Sequence, residues 1–323
     1  MTTAPQQPRL RLGTRKSVMA MAQSERVAGL ITQRTGRQVE LTGITTFGDV
    51  SHADLPTIGG SGVFVSGLRS RLLDGGIDIA VHSLKDLPAV QPQDIRLAAV
   101  PGRDDPRDAL AARDGAKLAD LPRGSRVGTG SPRRAAQLLL MRPDLSPVPV
   151  RGNADTRLRK VESGEVDAVV LAYAGLARIG RLDAVTQVFE PEEMLPAPGQ
   201  GALAIECLAA RTELADLLAV LDDRAARAAV TAERSLLAAL QAGCSAPVGG
   251  YAAGTEELRL RAVVVAADGG TALRASAGGP ADEAERLGRE VAAELLRGGA
   301  GRYTAVPVPT QGHGHISNGD EVQ

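Results

Sequence analysis

The stretch Ile77-Asp78-Ile79-Ala80-Val81-His82-Ser83-Leu84-Lys85-Asp86-Leu87-Pro88 decides how this chain is read. It begins as an apolar run, Ile77 to Val81, with the length and residue type of a buried strand. It then releases His82, Ser83, Lys85 and Asp86 in quick succession and stops at Pro88. Open α/β sheets bind ligands just outside the carboxyl ends of their strands. This polar cluster therefore marks a candidate site. His82, still within the strand, reads as a hydrogen-bonded structural residue rather than a base.

The same strand-to-turn pattern recurs on both sides. Leu10-Arg11-Leu12 opens a short strand that ends at Gly13-Thr14-Arg15, and Ser17 caps a helix from Val18 to about Thr35 that Gly36 closes. Gln38 to Thr46 reads as a strand and Val65 to Leu73 as a helix. Between them, 48–62 is polar and glycine-rich and reads as a mobile loop. Its Ile58-Gly-Gly-Ser-Gly62 lacks the preceding strand and the glycine spacing of a dinucleotide fingerprint. Ile95 to Pro101 is another strand, and the charged run Arg103 to Asp108 reads as a crossover between domains.

A second α/β unit follows. Arg126-Val127-Gly128-Thr129-Gly130 leads into Ser131-Pro132-Arg133-Arg134, a strong helix start with Ser at the cap and Pro in the first turn. Val148-Pro149-Val150-Arg151 leads into a helix through Arg157 closed by Gly164. Val166 to Ala174 is a buried strand followed by Arg178. Pro196 to Gly201 is a second crossover and Ala202 to Ile205 a strand, so the chain is expected to leave the first domain and return to it.

From Asp222 the composition shifts. An alanine-rich helix runs to about Ala242, three strands follow (Val248–Ala252, Leu258–Val265, Ala272–Ala277), and a last helix spans Ala281 to Leu296. The expected domains are 5–101 with 202–219, 105–197, and 222–306, with a disordered tail over 307–323. The fold class is α/β: two similar lobes around a cleft plus a small α+β third domain with a three-stranded antiparallel sheet.

Bulk properties limit the function. With 43% apolar and 23% charged residues, the 323-residue chain can bury a sizeable core. A net charge of −1 gives no global pull toward nucleic acid or membrane. Aromatics at 2% leave no stacking platform for single strands. Two cysteines and four scattered histidines supply neither a disulfide framework nor metal-ligand spacing. With no apolar segment near Met1 to Pro8, the expected compartment is the cytoplasm.

The arginines carry the clearest chemistry. Arg11, Arg15, Arg133, Arg134, Arg151, Arg157 and Arg178 are all expected at or just after strand carboxyl ends, with Ser17, Thr129 and Ser131 in the same turns. Guanidinium groups grip carboxylates and phosphates bidentately, so a cleft gathering them takes a polyanion. Asp86 is then a carboxylate facing a cationic cleft. It suits meeting positive charge as it develops on a substrate nitrogen, or exchanging a proton with it. Cys207 reads as a core residue. Cys244, in the small-residue loop Ala242-Gly-Cys-Ser-Ala-Pro247, suits covalent attachment.

These motifs together resemble the porphobilinogen deaminase (hydroxymethylbilane synthase) family. The resemblance runs from about Leu10 to the last helix and rests on Arg11-Leu-Gly-Thr-Arg15-Lys-Ser17, Val81 to Pro88, Gly128 to Arg134, Arg151-Gly-Asn-Ala-Asp-Thr-Arg157, Pro198-Gly-Gln-Gly201 and Gly243 to Pro247. It implies that the two lobes are like type II periplasmic binding proteins and that a dipyrromethane cofactor is held by a thioether on Cys244. It implies that four porphobilinogen molecules are condensed with loss of ammonia and that hydroxymethylbilane is released by hydrolysis.

Asp86 would be the catalytic carboxylate, assisting ammonia loss and stabilising cationic azafulvene and protonated pyrrole species. Cofactor contacts would fall to Lys85, Ser83, Thr129, Ser131, Arg133, Arg134 and Arg157. Substrate contacts would fall to Arg11, Arg15, Ser17, Arg151, Arg178 and Gln200. The implied protein is a monomer that binds no metal, and its product passes to uroporphyrinogen-III synthase in tetrapyrrole (heme) biosynthesis.

The chain also departs from the family. Thr57, Ser61 and Ser66 stand where many members carry lysines, and Gly67 where an acidic residue is usual, so those contacts are not carried over. Gly130 and Pro132 are further departures, in a turn that proline suits. Two other readings remain. One is a non-catalytic two-lobe module binding a polycarboxylate, which would need neither Cys244 nor Asp86. The other is a phosphate-ester enzyme, which would want a metal-binding carboxylate cluster that the sequence does not offer.

Overall fold

The computed structural model describes residues 8–45, 63–243 and 246–304. β1 (Leu10–Arg15) passes into the helix Val18–Thr35 through a cap in which Ser17 Oγ accepts the Ala20 N–H, and Gly36 ends that helix at φ 71°. β2 (Val39–Ile44), the helix Val63–Leu73, β3 (Ile79–Ser83) and β4 (Ile95–Ala99) follow. Far along the chain, β10 (Leu203–Leu208) inserts antiparallel between β3 and β4, giving the order β2-β1-β3-β10-β4. Leu12, Ile79 and Ile205 are fully buried in the cluster this sheet shares with Val27 and Ile31 of the first helix. Each such side chain stabilises the lobe by roughly 1.5–3 kcal/mol.

The second sheet repeats this plan. β6 (Arg126–Gly128), β7 (Ser146–Val148) and β8 (Ala168–Ala172) are parallel. β5 (Asp108–Ala112) runs antiparallel between β8 and β9 (Gln187–Phe189), giving the order β7-β6-β8-β5-β9. In both lobes, therefore, a strand from the opposite end of the lobe's chain crosses in beside the third parallel strand.

Three expectations change here. Asp108 does not belong to an open crossover but begins β5, and it is wholly buried. Arg151 was expected at or just after a strand's carboxyl end, and β7 stops short of it, at Val148. Residues 173–178, expected to end a strand and begin a turn, form the short helix Tyr173–Arg178.

The third unit packs the helices Arg224–Ala239 and Ala284–Arg297 on β11 (Val248–Ala253), β12 (Glu257–Val265) and β13 (Ala272–Pro280), which form an antiparallel sheet. Alternation along β12 sends Leu258 and Leu260 inward, where they meet Leu236, Leu287 and Val291. Asp223 caps the first of these helices by accepting the Ala226 N–H at 2.8 Å.

The two crossovers lie against each other. Gly201 sits at φ 87°, where a Cβ would fall 2.4 Å from the Asp104 carbonyl oxygen. Gly199, at φ 77°, would strike Leu84 and crowd the Lys85 nitrogen. Only glycine allows both the turn and this approach. Arg103 fastens the third unit here. It pairs with buried Glu233 at 2.7 Å and donates to the Gln200 carbonyl, while Glu233 also accepts from the Gly199 and Ala252 N–H groups. Among the described residues, no helix is long and apolar enough to cross a membrane.

Candidate active site

The carboxyl ends of β3 and β6, the start of the helix Ala154–Glu162, and the two crossovers meet at one cleft. Its main cavity, of about 170 Å³, is lined by Ser83, Lys85, Arg134, Arg157, Arg178 and Gln200 among others. A smaller neighbour, of about 80 Å³, is lined by Arg15, Ser17, Gln23, His82, Ser83 and Asp86.

The cationic side is built around a carboxylate that the sequence reading missed. Asp108 accepts from Arg133 Nη1 at 2.8 Å, from Arg134 Nε and Nη2 at 3.0 and 2.7 Å, and from Gln200 Nε2 at 2.8 Å. Burial pushes its carboxyl up, but Arg133, Arg134 and these hydrogen bonds outweigh that and hold it well below the usual carboxylate range. Gln200 turns its amide oxygen the other way, accepting from Lys85 Nζ at 3.2 Å and Arg134 Nη2 at 3.4 Å. One buried amide thus connects a lysine of the first lobe to an ion-pair cluster of the second.

Lys85 is pushed down to about 8, first by burial and then by the charge of Arg134. Arg157 is pushed down to about 10 by burial and by Arg134. Among the described residues Arg157 has no carboxylate partner, and its Nε donates to the Gly152 carbonyl at 2.9 Å. Its two terminal nitrogens are left for a ligand. Lys85, Arg134 and Arg157 on the cavity wall outnumber Asp108 behind it, so the cavity carries excess positive charge that an anionic ligand would relieve.

The expected residues divide. Arg134, Arg157, Arg178, Lys85 and Gln200 converge on the main cavity, Arg15, Ser17 and Asp86 on the smaller one, and Ser83 on both. Arg178 belongs to the last turn of a helix and reaches back to Asp104 (2.9 Å) and the Gly201 carbonyl (2.7 Å). Arg133 is buried, bound to Asp108 and the Leu195 carbonyl, and lines neither cavity.

Arg11 is a correction. It lies near the start of β1, not at its carboxyl end, and forms a two-point pair with Asp78, just before the neighbouring parallel strand β3 and at the end of the sheet away from the cleft. Arg151 is exposed and lines neither cavity. Thr129 and Ser131 shape the turn: Thr129 Oγ1 accepts the Ser131 N–H, and Ser131 Oγ accepts the Arg134 N–H. Cys244 and the 48–62 loop lie outside the described residues.

His82 sits on a separate buried network. Glu206 of β10 accepts from Arg69 at 2.7 and 3.0 Å and from Gln91 at 2.7 Å, with His82 Nε2 3.3 Å away but not aligned to hydrogen-bond. Burial pushes Glu206 up, and the neighbouring His82 and Arg69 more than offset this, holding it at about 2.

Fold and cleft together define a two-lobed α/β protein that gathers carboxylate-binding cations beside the carboxylate of Asp86. Two family profiles cover most of the chain: porphobilinogen deaminase, dipyromethane cofactor binding domain, over residues 10–216, and porphobilinogen deaminase, C-terminal domain, over 227–297. The porphobilinogen deaminase of Thermobifida fusca is 57% identical, spanning 94% of this chain and 97% of that one. Porphobilinogen deaminase 1 of Streptomyces coelicolor is 56% identical over 90% and 96%. A periplasmic substrate-binding protein of a Coxiella burnetii ABC transporter superposes with a TM-score of 0.43 at 15% identity, over 66% of this chain and 91% of that one. That last likeness is too weak to bear on the argument. The chain belongs to the porphobilinogen deaminase family.

Proposed function

We propose that this chain is the tetrapyrrole-pathway enzyme that joins four porphobilinogen molecules head-to-tail, releases ammonia at each addition, and frees hydroxymethylbilane by hydrolysis. The observation that carries the residue roles is the convergence of Lys85, Arg134 and Arg157 on one cavity while Asp86 opens beside it.

The donor set fits a dipyrromethane with its acetate and propionate groups: a lysine, and an arginine with two terminal nitrogens to offer, in a partly dry site. When bound through Cys244, that group supplies the pyrrole carbon on which the chain is extended. Lys85, Arg134 and Arg157 bind its carboxylates, and Gln200 and Asp108 hold Lys85 and Arg134 in place. Arg15 and Ser17 bind the incoming porphobilinogen next to Asp86, and Arg178 and Arg151 serve later units. The Asp86 carboxylate faces the aminomethyl nitrogen, lowering the cost of positive charge there as ammonia departs. Both cavities fall below the roughly 300 Å³ of common ligand pockets, so the lobes part to admit four units. The protein works as a cytoplasmic monomer, dividing at 5–101 with 202–219, 105–197 and 222–306, and hands its product to uroporphyrinogen-III synthase.

Intact mass of the protein purified from a host that makes porphobilinogen tests this. The expected result is one added dipyrromethane on the wild type and none on Cys244→Ser. An unmodified wild-type mass would overturn the cofactor assignment.

A further inference from the structure

We infer that Met19 is the partition of the cleft, a positioning residue that contacts the bound pyrrole chain and fixes which ring faces Asp86. Met19 and Ser83 are the two residues that line both cavities. On one side of them are Lys85 and Arg157; on the other are Arg15 and Asp86. Met19 is the apolar member of that wall.

Its position is built from both lobes. It is the second residue of the helix that Ser17 caps, so the cap sets where its side chain starts. From there it crosses to the second lobe and packs on the cluster containing Leu171 and Leu176. The opposing helix carries Gly175, where a Cβ would come within 3.2 Å of Met19 Cε and 3.8 Å of its sulfur. Glycine there gives the thioether its place. One turn on, Gln23 holds the other half of the wall by donating to Ser83 Oγ at 3.0 Å. Residues four apart share a helix face, so a single face carries both supports.

The chemistry suits the position. A thioether is unbranched and polarisable, adapts to successive ring positions, and contacts aromatic faces favourably. The surrounding arginines and lysine recognise carboxylates, which every unit of the chain carries alike, so they leave its register undefined. An apolar step between the cationic and acidic chambers supplies that register. The role rests on the site reading given above.

The test compares Met19→Ala and Met19→Leu with wild type at limiting porphobilinogen. Intact mass reads the enzyme-bound chains, and kcat, KM and thermal midpoint are measured alongside. In Met19→Ala we expect retained cofactor, chains of one to three added units spread differently from wild type, and kcat reduced about tenfold with KM little changed. Met19→Leu should restore the wild-type distribution. An unchanged distribution and kcat in Met19→Ala would overturn the role. So would an altered distribution that Leu fails to restore, or one that tracks a lowered thermal midpoint. A wild type that carries no added units at all would fail the site reading instead.

Discussion

Lys85 and Asp86 are consecutive in the chain yet open into different chambers of the cleft. They sit in the single turn Leu84–Asp86 that follows β3, and there adjacent side chains splay apart. Opposite charges that could neutralise each other are directed instead at different parts of a ligand. Asp86→Asn keeps the shape and removes the charge. It should retain fold and cofactor but lose turnover by on the order of 100-fold or more. Ammonia release measured on the cofactor-loaded variant checks this, and near-normal release would remove Asp86 from the chemistry.

Lys85 makes carboxylate binding pH-dependent. Its ammonium is held at about 8, so it is charged at pH 7 and lost as pH rises through 8. KM for porphobilinogen should therefore climb above pH 8, and Lys85→Arg should flatten that limb. For stability the sign is opposite. Between 8 and the ordinary lysine value of 10.5 the unfolded chain binds more protons, so this group makes the fold more stable as pH rises there.

Arg133 and Arg157 should separate cleanly. Arg157 offers its terminal nitrogens to the cavity, so Arg157→Ala should raise KM on the order of 10- to 100-fold with little loss of stability. Arg133 is bound to Asp108 and Leu195 inside the protein. Arg133→Ala leaves part of a buried ion cluster uncompensated and should cost about 3–5 kcal/mol. Urea unfolding alongside steady-state kinetics distinguishes the two.

Glu206 sets an acid limit. Its carboxyl lies at about 2 against an ordinary 4.5, so its stabilisation is complete above 4.5 and disappears as pH falls through 2. The size is on the order of 3 kcal/mol. Urea midpoints from pH 2 to 7 should show this slope, and Glu206→Gln should lower the neutral plateau and flatten the slope.

The opening stretch was legible because an apolar run followed by released polar residues is a local pattern. The caps at Ser17, Ser131 and Gly36 were legible for the same reason. What separates Arg133 from Arg134 is not local. Both follow one cap; Arg133 also reaches the Leu195 carbonyl, Arg134 reaches the Val170 carbonyl and lines the cavity, and both are anchored by Asp108, on another strand. That strand is too short, and too close to a charged run, to stand out. Arg11 was misplaced within a strand whose extent was read correctly: β1 opens at Leu10 and ends at Arg15, so Arg11 belongs at its beginning and only Arg15 at its carboxyl end. Met19 gave no signal, since an apolar residue early in an amphipathic helix looks like core.

The late insertion of β10 bears on how the molecule is made. All five strands of the second sheet lie between Asp108 and Phe189, whereas the first sheet waits for Leu203–Leu208. On a ribosome the middle of the chain can finish folding while the beginning is still missing its fourth strand in spatial order. A product truncated before Leu203 leaves facing edges of β3 and β4 open, and such unpaired edges are templates for aggregation. Synthesis that stalls between the two crossovers thus leaves this chain with two open strand edges.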